Sequence, residues 1–202
     1  MYISILILIP LLYYLKFKKL EKMKKVLLLV LPLFLFSCKA GVEAHKVAIE
    51  ELGTSWDAAT AAVTGFSEGL TKDMTSVTEA ASQMMLDSVA VSKLKGEAAT
   101  KWAESTTAYK AASDAYAPVQ SELSDFVTMW TEKAAGVTAL KDGLAAGKIE
   151  GDIPAQIAEL SGLVTQANEK VTAWTAKQAE LKTASDSALG MLKAAYEMVG
   201  KK

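Results

Sequence analysis

Residues 52–70 read LGTSWDAATAAVTGFSEGL, and residues 126–144 read FVTMWTEKAAGVTALKDGL. In each, the large apolar residues recur at steps of three and four, the spacing that gathers side chains on one face of an α-helix. At an offset of 74 the two stretches align: Leu52 with Phe126, Trp56 with Trp130, Val63 with Val137, Thr64 with Thr138, Phe66 with Leu140, Gly69 with Gly143 and Leu70 with Leu144. At an offset of 72, Trp102 aligns with Trp174, and Lys110, Ala112, Ser113 and Asp114 fall on Lys182, Ala184, Ser185 and Asp186. Four scarce tryptophans in matching places point to an internal duplication.

Working outward from these stretches, the pattern predicts four helices. The first runs from Val42 to Leu70, with Gly69 and Thr71-Lys72-Asp73 as its stop. A second follows a heptad-like seam through Met74, Val77, Ala81, Met84, Val91, Ala98, Trp102, Tyr109, Ala112 and Tyr116, with polar interruptions at Ser88, Lys95 and Ser105 and a kink candidate at Gly96. Pro118 ends it in a tight turn, since a proline pushes the preceding residue out of helical geometry. The third helix runs from Val119 to Leu144 and dissolves at Gly143, Gly147 and Gly151. Asp152 as N-cap and Pro154 in the first turn start the fourth, whose seam is Ile157, Leu160, Val164, Val171, Trp174, Leu181, Ala184, Ala188, Met191, Ala195 and Val199. The fold class expected is all-α: an elongated antiparallel four-helix bundle of two duplicated hairpins, residues 42–117 and 118–202, forming one domain. The lengths strain this picture, because the second and fourth helices outrun their partners, so Gly96 and Gly162 are candidate breaks.

Ahead of the helices, Met23 to Cys38 reads MKKVLLLVLPLFLFSC. Two lysines lead an apolar run that suits the core of a signal peptide and is short for a bilayer span. Leu35-Phe36-Ser37-Cys38 resembles a bacterial lipobox, with a branched apolar residue three places before the cysteine and a small residue just before it. The resemblance implies cleavage at Cys38 by signal peptidase II, a diacylglycerol on the Cys38 sulfur and an acylated amino group. Residues 23–37 are then the signal peptide, residues 38–41 a short linker, and residues 1–22 either an over-extended start ahead of Met23 or an extra apolar segment. The membrane is the partner reached through acylated Cys38. Lys39 after the cysteine, in place of the aspartate that retains lipoproteins at the inner membrane, favours the outer membrane.

Six lysines and one glutamate lie before Cys38, leaving 16 basic and 22 acidic residues after it. That excess of negative charge argues against nucleic acid as a partner. Every basic residue is lysine, so the bidentate forks of anion-recognition sites are missing from the sequence. Catalysis has little to work with. His45 is the only histidine and sits on the first turn of the first helix, and the only cysteine is committed to lipid. No metal or cofactor motif stands out: the methionines read as core filler, the tryptophans at helical spacing as core, and Glu50-Glu51 as a solvated face. The chain is expected to be no enzyme and to need no cofactor.

A helical, Ala- and Ser-rich chain that ends in lysine is similar to the murein-lipoprotein type of envelope protein. The similarity covers the anchor, the helical heptads and the terminal Lys202, and it implies peptidoglycan attachment through the Lys202 amine. It departs in length, in the duplication and in the absence of an aromatic-basic tail before that lysine. The expectation is a lipid-anchored envelope bundle that scaffolds, tethers or binds an envelope protein partner. The alternative is a bundle that binds an apolar small molecule or lipid between its helices, which would need a cavity among the tryptophans.

Overall fold

The computed structural model describes residues 41–84 and 86–200. All of its regular structure is helical. Helix α1 spans Lys46–Ser82, a five-residue α2 spans Ser88–Ser92, α3 spans Glu97–Asp114, α4 spans Ala117–Ala146 and α5 spans Ile153–Gly200.

Helix α1 does not stop at Gly69. It buries Ile49, Leu52, Trp56, Ala59, Val63, Phe66 and Leu70 on one face and continues for three more turns. The expected stop signal is absorbed on its surface, where the hydroxyls of Thr71, Thr75 and Thr78 donate to the carbonyls of Ser67, Thr71 and Met74, four residues back. The chain reverses instead at residues 83–96, inside the stretch read as a continuous second helix. Asp87 caps α2 by accepting from the Ala90 amide at 2.6 Å. Gly96, at φ 60° and ψ −137°, takes a backbone conformation that a side chain would strain, and α3 starts directly after it. The polar residues Ser88 and Lys95 therefore mark a reversal and do not interrupt a seam.

Pro118 does not turn the chain around. Ala115 (φ −66°, ψ −13°) and Tyr116 (φ −75°, ψ −29°) stay helical between α3 and α4. The ladder tightens for one step, with the Tyr116 amide donating to Ser113 at 3.3 Å, and resumes with Gln120 donating to Tyr116 at 3.0 Å. A proline near the start of a helix lacks only an amide that is a loose end there, so the chain continues in the same direction past it. The expected hairpin boundary at 117/118 is thus one tightened step, and α3 with α4 forms one rod from Glu97 to Ala146.

The result is three antiparallel rods in place of the expected four helices. Lys141 meets Asp57, Trp130 meets Thr60 and Tyr109 meets Val77, so the middle rod runs against α1. Lys133 meets Glu159 and Lys170 meets Glu122, so α5 runs against the middle rod and parallel to α1. At 1.5 Å per residue the middle rod and α5 are each about 70 to 75 Å long and α1 about 55 Å. The segment 83–96 covers the shortfall, which disposes of the length mismatch. Helix α5 is unbroken through Gly162. It begins as expected: Asp152 accepts from the Ala155 amide at 3.1 Å, with Pro154 in the first turn. The preceding turn closes on Gly147 in the left-handed region (φ 68°), where the Lys148 amide donates to Gly143 at 2.8 Å.

Two apolar clusters share these rods. The larger joins α1, α4 and α5 around Trp56, Phe66, Phe126, Trp130 and Trp174. The smaller joins the end of α1 with α3 and α5 around Ala81, Trp102, Tyr109, Ala188 and Leu192. In the second half of α5 the buried seam is Leu181, Ser185, Ala188, Leu192 and Ala195, one step away from the expected Ala184 and Met191. Met191 and Met198 are exposed and are not core filler, whereas Met74, Met84 and Met129 pack against the clusters.

Candidate functional site

A cavity for an apolar ligand would have to open among the tryptophans, yet all four are buried, with exposures of 3 to 5%. Trp56 and Trp130 stack with ring centroids 3.6 Å apart and 9° between planes. The Trp130 indole N–H donates to Thr60 Oγ1 at 2.9 Å, and Thr60 in turn donates to the Trp56 carbonyl at 2.8 Å. Phe66 stacks on Trp174 at 5.4 Å, and Phe126 meets Trp174 edge-on at 5.5 Å and Trp130 at 5.7 Å. The rings fill the space between the rods and leave their polar atoms paired. Lys170 lies 5.4 Å from the Trp174 ring centre while its ammonium holds Glu122 at 2.6 Å. The hydrogen bond from Lys170, and then one from the Trp174 indole, hold the Glu122 carboxyl below its usual range.

Open space is found one layer further along, where the two clusters meet. A cleft of about 400 Å³ is lined by α1 (Gly69, Asp73, Val77), the middle rod (Tyr109, Tyr116) and α5 (Gln178, Lys182, Ser185, Leu189). Hydroxyl-bearing residues occupy core positions at this level. Ser185 is 2% exposed and Tyr116 1%. Ser185 Oγ donates to the Leu181 carbonyl at 2.8 Å and lies 3.4 Å from the Tyr116 hydroxyl. The Tyr109 hydroxyl donates to the Val77 carbonyl across to α1. Burial first, and then the nearby Tyr116, push the Tyr109 phenol above its ordinary pKa. On the rim, Gln178 Nε2 donates to Asp73 Oδ2 at 2.6 Å, and Lys182 holds Asp186 at 3.3 Å. No buried side-chain polar atom among the described residues lacks a partner.

Apolar spacing hides this layer, because a seam followed through the alanines of α5 passes Ser185 by. The available clue is Tyr109 and Tyr116, seven residues apart and on one helical face.

Of the other residues singled out, Cys38 and Lys202 lie outside the described residues, as does the signal stretch 23–37. His45 is half-buried just before α1, where its carbonyl accepts from the Ile49 amide at 3.0 Å. Among the described residues no group of His, Cys, Asp and Glu is placed to hold a metal ion, and no helix is long and apolar enough to cross a membrane. At the far end of the rods Val89, Val91, Met191, Tyr196 and Met198 are exposed. Compared with known proteins, the chain matches no family model, no curated sequence and no solved structure.

Proposed function

We propose that this chain is a lipid-anchored protein of a bacterial envelope, acylated at Cys38 and held at the outer membrane, whose helical rod acts as a scaffold, spacer or protein-interaction element and not as an enzyme. The observation that carries the proposal is the stretch Met23 to Cys38, a short apolar core behind two lysines that closes on Leu-Phe-Ser-Cys. Regular helix begins within a few residues of that cysteine, so the rod would stand directly on the bilayer. Two or three acyl chains, each methylene contributing about 0.8 kcal/mol, suffice for lasting attachment where one chain does not.

The close packing of all four tryptophans supports a scaffold over the alternative of a carrier for an apolar small molecule or lipid. The sequence correspondence at offsets of 74 and 72 is read as duplication of helical segments and not of whole hairpins, because the matched tryptophans Trp102 and Trp174 belong to different clusters. Attachment of Lys202 to peptidoglycan remains the lesser reading, because a lysine after a helix is already favoured by the negative end of the helix dipole. The anchor is tested by Cys38→Ser in intact cells. The variant should be released from the outer membrane or mislocalised, and should not run at the mature size, because the apolar stretch 26–36 stays attached when cleavage at Cys38 fails. Membrane retention at the mature size would refute the lipobox reading.

A further inference from the structure

We infer that the cleft where the two core clusters meet is a binding site for an uncharged polyhydroxylated ring, a mono- or disaccharide. Its volume of about 400 Å³ lies in the lower part of the range of small-molecule sites, room for one or two sugar rings. The chemistry of the lining selects among ligand classes. Lys72, Asp73, Lys182 and Asp186 stand around the opening, two of each sign, so the rim carries no net charge to draw in an ion. An apolar ligand would strip water from these groups and from Gln178 without replacing a single hydrogen bond, a cost of about 1 to 3 kcal/mol for each polar group left bare.

A polyol has neither fault. Each sugar hydroxyl both donates and accepts, which suits a rim where carboxylate and amide oxygens alternate with ammonium and amide donors. Asp73 and Gln178 are already held together at 2.6 Å, a carboxylate and an amide side by side that can receive adjacent hydroxyls without rearranging. Gly69 leaves the approach to Gln178 open, since even a Cβ there would stand 3.4 Å from Gln178 Nε2, at ordinary contact distance. Val77 and Leu189 give the apolar wall that the C–H face of a pyranose needs. Tyr109 and Tyr116, buried beneath the cleft and each tied to another element by its hydroxyl, fix its base before any ligand arrives. This assignment is independent of lipidation at Cys38.

The test is an amide-shift titration of the full chain in detergent micelles with maltose and, separately, with N,N′-diacetylchitobiose, which distinguishes plain hydroxyls from acetamido groups as the preferred contact. Saturable shifts confined to residues 69–77 and 178–189 are expected with at least one of the two. Asp73→Ala and Gln178→Ala should each weaken that response at least tenfold and leave the thermal midpoint nearly unchanged, since both residues are on the rim. Decanol serves as the apolar probe. The inference is overturned if neither sugar gives saturable shifts in these segments, if the two substitutions leave the titration unaltered, or if decanol occupies the cleft in preference to sugar.

Discussion

Trp102→Ala and Trp174→Ala make a paired test of the three-rod arrangement. On the duplicated-hairpin reading the two residues are equivalents and their loss should cost the same. In the structure both are buried, but their surroundings differ. Trp174 stacks on Phe66 at 5.4 Å, meets Phe126 edge-on at 5.5 Å and has the Lys170 ammonium 5.4 Å from its ring centre. Trp102 packs in the smaller cluster with Tyr109, Leu192 and the alanines Ala81, Ala112, Ala188 and Ala195, with no aromatic stack on its ring among the described residues. Truncating a buried tryptophan costs about 3 to 5 kcal/mol, and each aromatic pair adds about 0.5 to 1.5 kcal/mol beyond area burial. Trp102→Ala should therefore sit near about 3 kcal/mol and Trp174→Ala near about 5 kcal/mol, a large part of the roughly 5 to 15 kcal/mol typical of a domain. With a urea m-value of about 2 kcal/mol/M, the midpoints should fall by about 1.5 M and about 2.5 M. Equilibrium unfolding followed by far-UV circular dichroism reads both without relying on the deleted fluorophore. Equal losses, or a larger loss for Trp102, would refute the assignment of Trp174 to the aromatic cluster and of Trp102 to the alanine-lined one. A loss below about 1 kcal/mol at either site would refute its burial.

Small-angle scattering should give a radius of gyration of about 22 Å for the helical part, from rods about 72 Å long, against about 15 Å for a compact domain of the same size; a value near the compact figure would contradict the extended bundle. Gly65, Gly162 and Gly190 are inside helices, and a methyl added at any of them would meet nothing within 4 Å, so Gly→Ala at each should raise stability by about 0.5 to 1 kcal/mol, while Gly143→Ala, whose methyl would stand 2.8 Å from the Lys148 carbonyl, should lower it in the same melts. Because the folded-state pKa of Tyr109 is raised, its contribution to stability is complete below the unfolded value of about 10 and is lost as pH rises through the folded value, so the thermal midpoint should drop above about pH 10, and less steeply in Tyr109→Phe.

Helix type and the core of α1, α4 and the first half of α5 are legible from apolar spacing alone, and the second reversal is legible because Gly147, Asp152 and Pro154 each act locally. Pro118 misleads because the same residue serves as a stop in a solvent-facing turn and as a first-turn residue where the chain runs on, and here Tyr116, buried against α5, holds the two segments in one line. The reversal at 83–96 is hidden for a related reason. Alanines and methionines on either side keep the heptad count going while Asp87 and Gly96 change the backbone. The cleft is the least legible element, since it depends on Ser185 and Tyr116 from different rods arriving at one level.

An odd number of rods has a mechanical consequence. With three, the start of α1 and the end of α5 lie at opposite ends, whereas four would bring them back together. A tensile load applied between those ends runs along the helix axes, and α1 must slide past α5 and α4, and α3 past α5, before any rod can leave. The whole of both clusters resists at once, so the fold yields in shear and does not peel open one turn at a time. The stacked Trp56 and Trp130 rings would be the keyed joint between the first two rods under such a load.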